Sequence, residues 1–204
     1  MKNILLDKLI KLVSNNPEAH LNNSKLEEIR YGLEAIYLTI SKLIVILISS
    51  WLLGIIKEVI IFTILYNFIR LFAFGIHASK SYICLIYSLI IFLFLPFIST
   101  LINLNKYCVI AAGLFCILMM MIYAPADTYK RPLVNNKKRF IYKILSVLVS
   151  VLYLIIALII NNPFITNCLI LSILIETIMI LPITYRLFKL TYNNYRLYDN
   201  GLKA

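Results

Sequence analysis

The chain has 204 residues, 62% of them hydrophobic, with 20 Lys and Arg against 9 Asp and Glu and a formal net charge of +11. At a mean hydropathy of +0.90 it is more apolar than a soluble domain, which holds nearer half, so the surplus requires a solvent other than water. The apolar residues gather into runs of about 20, the length that crosses a bilayer roughly 30 Å thick. Most of the basic residues fall between those runs, which makes them a membrane-topology signal and contact for anionic lipids rather than a nucleic-acid footprint. The expected fold class is all-α: a polytopic membrane protein with six transmembrane helices plus an N-terminal amphipathic interfacial helix.

Taken in chain order, residues 4–13 (ILLDKLIKLV) place Ile4, Leu5, Leu9, Leu12 and Val13 on one side of a helix and Asp7, Lys8 and Lys11 on the other. That pattern predicts a helix lying on the membrane surface, or equally one packed on the protein's own loops. Lys2, Lys8, Lys11, Lys25 and Arg30 make the start too polar for the core of a secretory signal, so none is expected. Residues 14–24 read as a polar connector. Six apolar segments follow, at about 35–56, 59–76, 82–102, 107–124, 141–160 and 164–184. Asn103 to Lys106 and Asn161-Asn162-Pro163 supply short connections, and Pro125 opens the longest loop, 125–140. The implied organisation is an N-terminal cytoplasmic or interfacial segment (1–34), a six-helix transmembrane domain (35–184) and a basic tail (185–204).

Charge sets the expected orientation. With the N-terminus inside, the inner segments carry the five N-terminal cations, Lys80, the cluster Lys130, Arg131, Lys137, Lys138 and Arg139, and the tail residues Arg186, Lys189, Arg196 and Lys203. The outer loops carry only Lys57 and Lys106. This is a positive-inside bias at every loop, and it puts both termini in the cytoplasm.

His77 and Cys84 lie in the polar break between the second and third segments. Thiol and imidazole are the minimal set for nucleophilic acyl transfer. In an unbroken helix, positions seven apart share a face but stand about 10.5 Å apart along the axis, against the roughly 3–4 Å that proton transfer needs. The chain must therefore bend between them, and Ala78-Ser79-Lys80-Ser81 is polar enough to do so. A helix starting near Ser81 would hold Cys84 in its first turn, where the dipole favours thiolate. Gly75 relieves crowding just before the histidine. Arg70, inside an apolar run, must face a polar partner or snorkel to the surface. Ser81 and nearby backbone amides are candidate oxyanion donors. Glu34, Asp127 and Ser81 are candidates for a third member by polarity alone. A His at a helix end is also a common cap, and a Cys in an apolar stretch a common packing residue, so spacing alone leaves the pair open. Cys108, Cys116 and Cys168 lie within apolar runs and read as small buried hydrophobes. No Cys or His spacing suggests a metal, and no cofactor is expected.

Three blocks carry a resemblance. Arg70-Leu-Phe-Ala-Phe-Gly75-Ile-His77 followed by Cys84, the lead-in Glu28-Ile-Arg-Tyr31-Gly32-Leu-Glu34, and Tyr123-Ala-Pro125-Ala-Asp127-Thr-Tyr-Lys130-Arg131-Pro132 together resemble the accessory gene regulator B (AgrB) family of quorum-sensing peptidases. The resemblance implies a cysteine endopeptidase that removes the C-terminal tail of a short amphipathic, AgrD-like signal-peptide precursor, with Cys84 as nucleophile and His77 as its proton carrier. An internal Cys or Ser of the precursor then resolves the thioester to a thiolactone or lactone. The resemblance also implies a homodimer. Phe74 stands where the family often has a second glycine, which puts the oxyanion-hole geometry in question. Lys130, Arg131, Lys137, Lys138 and Arg139 are candidates to hold an acidic precursor tail, although positive-inside topology explains them too. The competing assignment is a small peptide exporter without covalent chemistry, for which Lys42, Arg70 and Glu176 within apolar runs speak. Against it, no pair of Gly-broken segments marks an inverted repeat.

Overall fold

The fold, a computed structural model, describes Lys8 and residues 23–76, 81–129 and 132–199; within these every regular element is helical. The expected interfacial helix at 4–13 lies outside the described residues, Lys8 apart. By contacts the chain divides into two compact units, residues 1–49 and 50–204.

The first unit holds most of α1 (Asn23–Leu52), which begins at Asn23 rather than near residue 35. The reason is local: Lys25 to Ala35 is rich in Leu, Glu, Lys and Arg, strong helix formers, and holds no proline. Ile36, Ile40, Leu43, Ile44 and Ile48 are exposed along it.

The second unit runs α2 (Ile56–Ala73), α3 (Ser81–Leu89), a π-helical turn (Ile90–Phe94), α4 (Leu95–Leu101), α5 (Lys106–Tyr123), α6 (Asn136–Ile159), α7 (Pro163–Ile180), α8 (Pro182–Leu187) and α9 (Arg196–Asp199). The π turn precedes Pro96, whose ring cannot donate a helical hydrogen bond and crowds the carbonyl one turn back, so the helix widens there. Three asparagines start helices: Asn105 accepts from the Cys108 amide, Asn135 from those of Lys137 and Lys138, and Asn162 from that of Ile165. The last expected segment, 164–184, is broken at Leu181. That residue precedes Pro182 and takes an extended backbone (φ −65°, ψ 139°), as pre-proline residues prefer.

Helices α5, α6 and α7 are each long and apolar enough to cross a membrane. Of the apolar span, 61% is buried in α7 against 22% in α5 and 33% in α6, so α7 forms the centre. It packs against α2, α4, α5 and α6. Asn167 of α7, fully buried, donates to the carbonyls of Ser99 (3.0 Å) and Ile102 (2.7 Å) at the end of α4. Gly113 lets α5 approach α6 closely; a Cβ there would lie 2.5 Å from Leu154 Cδ1. Cys116 and Cys168 are buried as expected, whereas Cys108, in the first turn of α5, is exposed.

Candidate active site at the break after α2

Helix α2 ends at Ala73, and the next two residues leave it with positive φ: Phe74 at 68° and Gly75 at 86°. Gly75 suits such a backbone, and the space around it is tight. An added Cβ would lie 3.3 Å from Glu176 Oε1 and from Met179 Cβ and O. Phe74 (φ 68°, ψ −98°) occupies a conformation that L side chains rarely adopt, at a cost of about 1–3 kcal/mol. Burial of its ring, edge-on to Tyr142 at 5.0 Å between centroids, offsets that strain. Phe74, where the family often has a second glycine, thus takes a positive φ as Gly75 does.

This turn is pinned on two sides. Gly75 N–H donates to Ala126 O (3.0 Å) and Ala126 N–H to Ala73 O (3.0 Å), while Ile76 N–H donates to Met179 O on α7 (3.2 Å). Two of the sequence blocks, 70–77 and 123–132, therefore meet through the backbone, although some 50 residues separate them.

Arg70 lies three residues before the turn. Its Nη2 donates to Ile76 O at 2.6 Å, and its Nη1 reaches both the Tyr66 hydroxyl and Glu176 Oε2, the latter at 3.4 Å. Glu176 is fully buried; Arg70 is 24% exposed. Arg70 thus faces a polar partner, as expected of a cation inside an apolar run. Glu176 Oε1 has no hydrogen-bond partner among the described residues.

Ser81 opens α3, and Cys84 falls in its first turn, as a helix start near Ser81 requires. Their side chains, and the whole of His77 to Lys80, lie outside the described residues, as do Lys130 and Arg131 and the side chain of Glu34. Lys137 and Lys138 are exposed in the first turn of α6. Arg139 is engaged inside the protein: it donates to Asn136 Oδ1 (2.7 Å), and its guanidinium carbon sits 3.6 Å from the centre of the Tyr195 ring.

Asp127 is neither exposed nor aimed at the turn. Its carboxylate accepts from the amides of Asn194 (2.9 Å), Tyr195 (2.8 Å) and Leu133 (3.3 Å), which staples residues 194 and 195 to the loop after α5. Tyr185 donates to the carbonyls of Ala126 (3.1 Å) and Asp127 (3.0 Å). Burial, and then the charge of Asp127, push the Tyr185 hydroxyl far above its ordinary range, so it stays a donor at any physiological pH. Sequence reasoning missed this tail-to-loop contact; only the polarity of Asp127 and the aromatic richness of 185–198 hinted at it. A cavity of about 300 Å³ lined by Asn103, Lys106, Asn161 and Thr166 lies at the far end of α5 and takes no part in the turn.

Among the described residues the second unit is thus a helical bundle with membrane-length apolar helices and a pinned, polar break at one end. Its sequence matches the family model Accessory gene regulator B over residues 6–180, and the chain belongs to that family. It is 36% identical over 204 residues to a protein of Clostridium acetobutylicum named AgrB-like, covering 99% of this chain and 98% of that one. It is 32% identical to the accessory gene regulator protein B of Staphylococcus aureus over 169 residues, 81% of this chain and 88% of that protein. An AgrB-like protein of Listeria monocytogenes serovar 1/2a is 30% identical over 172 residues, 84% of each chain. No solved structure matches.

Proposed function

We propose that this protein is a membrane-embedded cysteine endopeptidase of a quorum-sensing system, in which Cys84 and His77 cut the C-terminal tail from an AgrD-like precursor. The observation that carries the proposal is the pinned turn. Ile76, the residue before His77, is held by hydrogen bonds through both its N–H and its carbonyl, and Cys84 lies in the first turn of the following helix, where the helix dipole favours a thiolate.

In the proposed reaction the Cys84 thiolate attacks the scissile carbonyl, backbone amides near Cys84 or the Ser81 hydroxyl stabilise the oxyanion, and His77 protonates the departing amine. The C–N bond breaks and a thioester to Cys84 forms. An internal Cys thiol or Ser hydroxyl of the precursor then attacks that thioester, passes its proton to His77 and releases Cys84, which closes a thiolactone or lactone ring. Because the nucleophile belongs to the same peptide, its effective concentration is high, and a site sunk towards the bilayer limits competing water.

The proposed topology has six spans, both termini and the site in the cytoplasm, contact with anionic lipids and a homodimeric assembly. Lys137 and Lys138 support a role in holding an acidic precursor tail: the positive end of the α6 dipole disfavours cations in that turn, so its stability does not explain them. Lys130 and Arg131 complete the proposed tail site, and Arg139 orders it from within. An exporter without covalent chemistry is less favoured, since two of the three charges that spoke for it, Arg70 and Glu176, are paired with each other.

Cysteine labelling tests both chemistry and topology. With Cys108, Cys116 and Cys168 replaced by alanine, the chain retains precursor cleavage, and an impermeant thiol reagent labels Cys84 only from the cytoplasmic side, blocking cleavage as it does so. A chain with Cys108 alone is labelled from the opposite side. Labelling of Cys84 from outside contradicts the topology, and loss of cleavage on removing the other three cysteines from a folded chain contradicts the assignment of the nucleophile.

A further inference from the structure

The Arg70–Glu176 pair is more than the stability of a bundle calls for. Removing a carboxylate and a guanidinium from water offsets most of their mutual attraction, and apolar side chains of equal volume commonly serve as well. Its geometry also differs from that of a simple ion pair. The contact to Glu176 Oε2, at 3.4 Å, is long for a charge-assisted hydrogen bond, whereas the contact of Arg70 Nη2 to Ile76 O, at 2.6 Å, is short. The guanidinium is committed to the backbone, with the carboxylate neutralising it from behind.

A guanidinium is planar and its donors point in fixed directions. With Nη1 held by the Tyr66 hydroxyl and Glu176, the guanidinium is fixed in place, and Nη2 meets Ile76 O. The same stretch of α7 supplies Met179, whose carbonyl accepts the Ile76 N–H. One turn of α7 therefore grips both polar groups of Ile76, the N–H directly and the carbonyl through Arg70. Tyr66 extends the anchor to the other side of the break. Its ring meets Phe92 edge-on at 5.4 Å, and Phe92 lies in the π turn that continues the helix of Cys84. Gly75 passes close to Glu176: an added Cβ would lie 3.3 Å from Glu176 Oε1, a tight contact.

We infer that Glu176 is a positioning residue for the proposed peptidase: through Arg70 it sets the Ile76 carbonyl, the point from which the chain runs on to His77, and through Tyr66 it ties that point to the helix of Cys84. The inference rests on the dyad proposed above. It assigns Glu176 no contact with substrate.

The test uses the full chain in membranes with a short amphipathic, AgrD-like precursor that carries an internal Cys or Ser, comparing initial rates of tail release per folded protein across precursor concentrations. Glu176→Gln keeps the shape and removes the charge. Arg70→Lys keeps the charge and removes the second directed donor, and it decides the matter if Glu176→Gln does not fold. Each is expected to lower the saturating rate on the order of 10- to 100-fold, as sub-ångström misplacement of a reacting group does, with the half-saturating precursor concentration little changed. A merely structural role would lower the yield of folded protein and leave the rate per folded molecule intact. Wild-type saturating rates in both variants, with Cys84→Ala inactive, overturn the inference and leave the peptidase proposal standing. Loss in Glu176→Gln with a wild-type rate in Arg70→Lys overturns the route through Arg70. Cleavage surviving in Cys84→Ala overturns the peptidase proposal itself, and the inference with it.

Discussion

In membranes that hold the full chain and its proposed precursor, Cys84→Ala is expected to abolish release of the precursor tail, and His77→Ala to lower it about 10²- to 10⁴-fold, the usual worth of a positioned proton carrier. The two losses differ in origin. Without the thiol no acyl-enzyme forms, and the alternative, direct attack by water, is poor in a site sunk towards the bilayer. Without the imidazole the thiol still attacks, but the amine must leave without its proton and the thiolate fraction falls. The double variant is no worse than Cys84→Ala, because residues that act as a unit are not additive. Quantifying the released tail by mass spectrometry at equal protein levels checks this. Full cleavage in either single variant contradicts the dyad.

The largest expected loss of stability outside the dyad is at Asp127. Asp127→Ala leaves the amides of Leu133, Asn194 and Tyr195 without their acceptor, and each orphaned buried donor costs about 1–3 kcal/mol. The expected total is about 3 kcal/mol, since Tyr195 is only partly buried and water recovers part of its loss. Limited proteolysis should then cut near residues 190–199, which are protected in the parent, and thermal unfolding in detergent should come earlier. Asp127→Asn keeps one acceptor oxygen and should fall between the two. Cleavage of the precursor should weaken as well, because Ala126, the neighbour of Asp127, pairs with Gly75. An Asp127→Ala chain with a fully protected tail contradicts the stapling role.

The parts of this fold that sequence makes visible are those set by local chemistry. Apart from the start of α1, apolar runs place the helices to within a few residues, Asn105 and Asn162 start them, and Gly75 marks a backbone in which a side chain is strained. Misplaced boundaries have equally local causes: helix formers extend α1 back to Asn23, and Pro182 cuts the last segment short. What stayed hidden depends on chain separation. Arg70 and Glu176 are 106 residues apart, and each by itself is an ionisable group needing some partner; only the crossing of α2 and α7 says which. The Asp127 staple spans 67 and 68 residues to a tail whose own pattern shows only basic charge and aromatics. Polarity alone made Asp127 a candidate for the chemistry, and its three backbone partners explain the same polarity structurally.

The central claim is a covalent one, and the intact mass of the protein tests it most directly. Protein mixed with precursor and quenched in acid should gain the mass of the precursor without its tail, in an adduct that hydroxylamine removes and that maps to the peptide containing Cys84. Cys84→Ala should show no adduct and release no tail. Tail release by the Cys84→Ala chain at the parent rate, with no adduct on either protein, contradicts the claim.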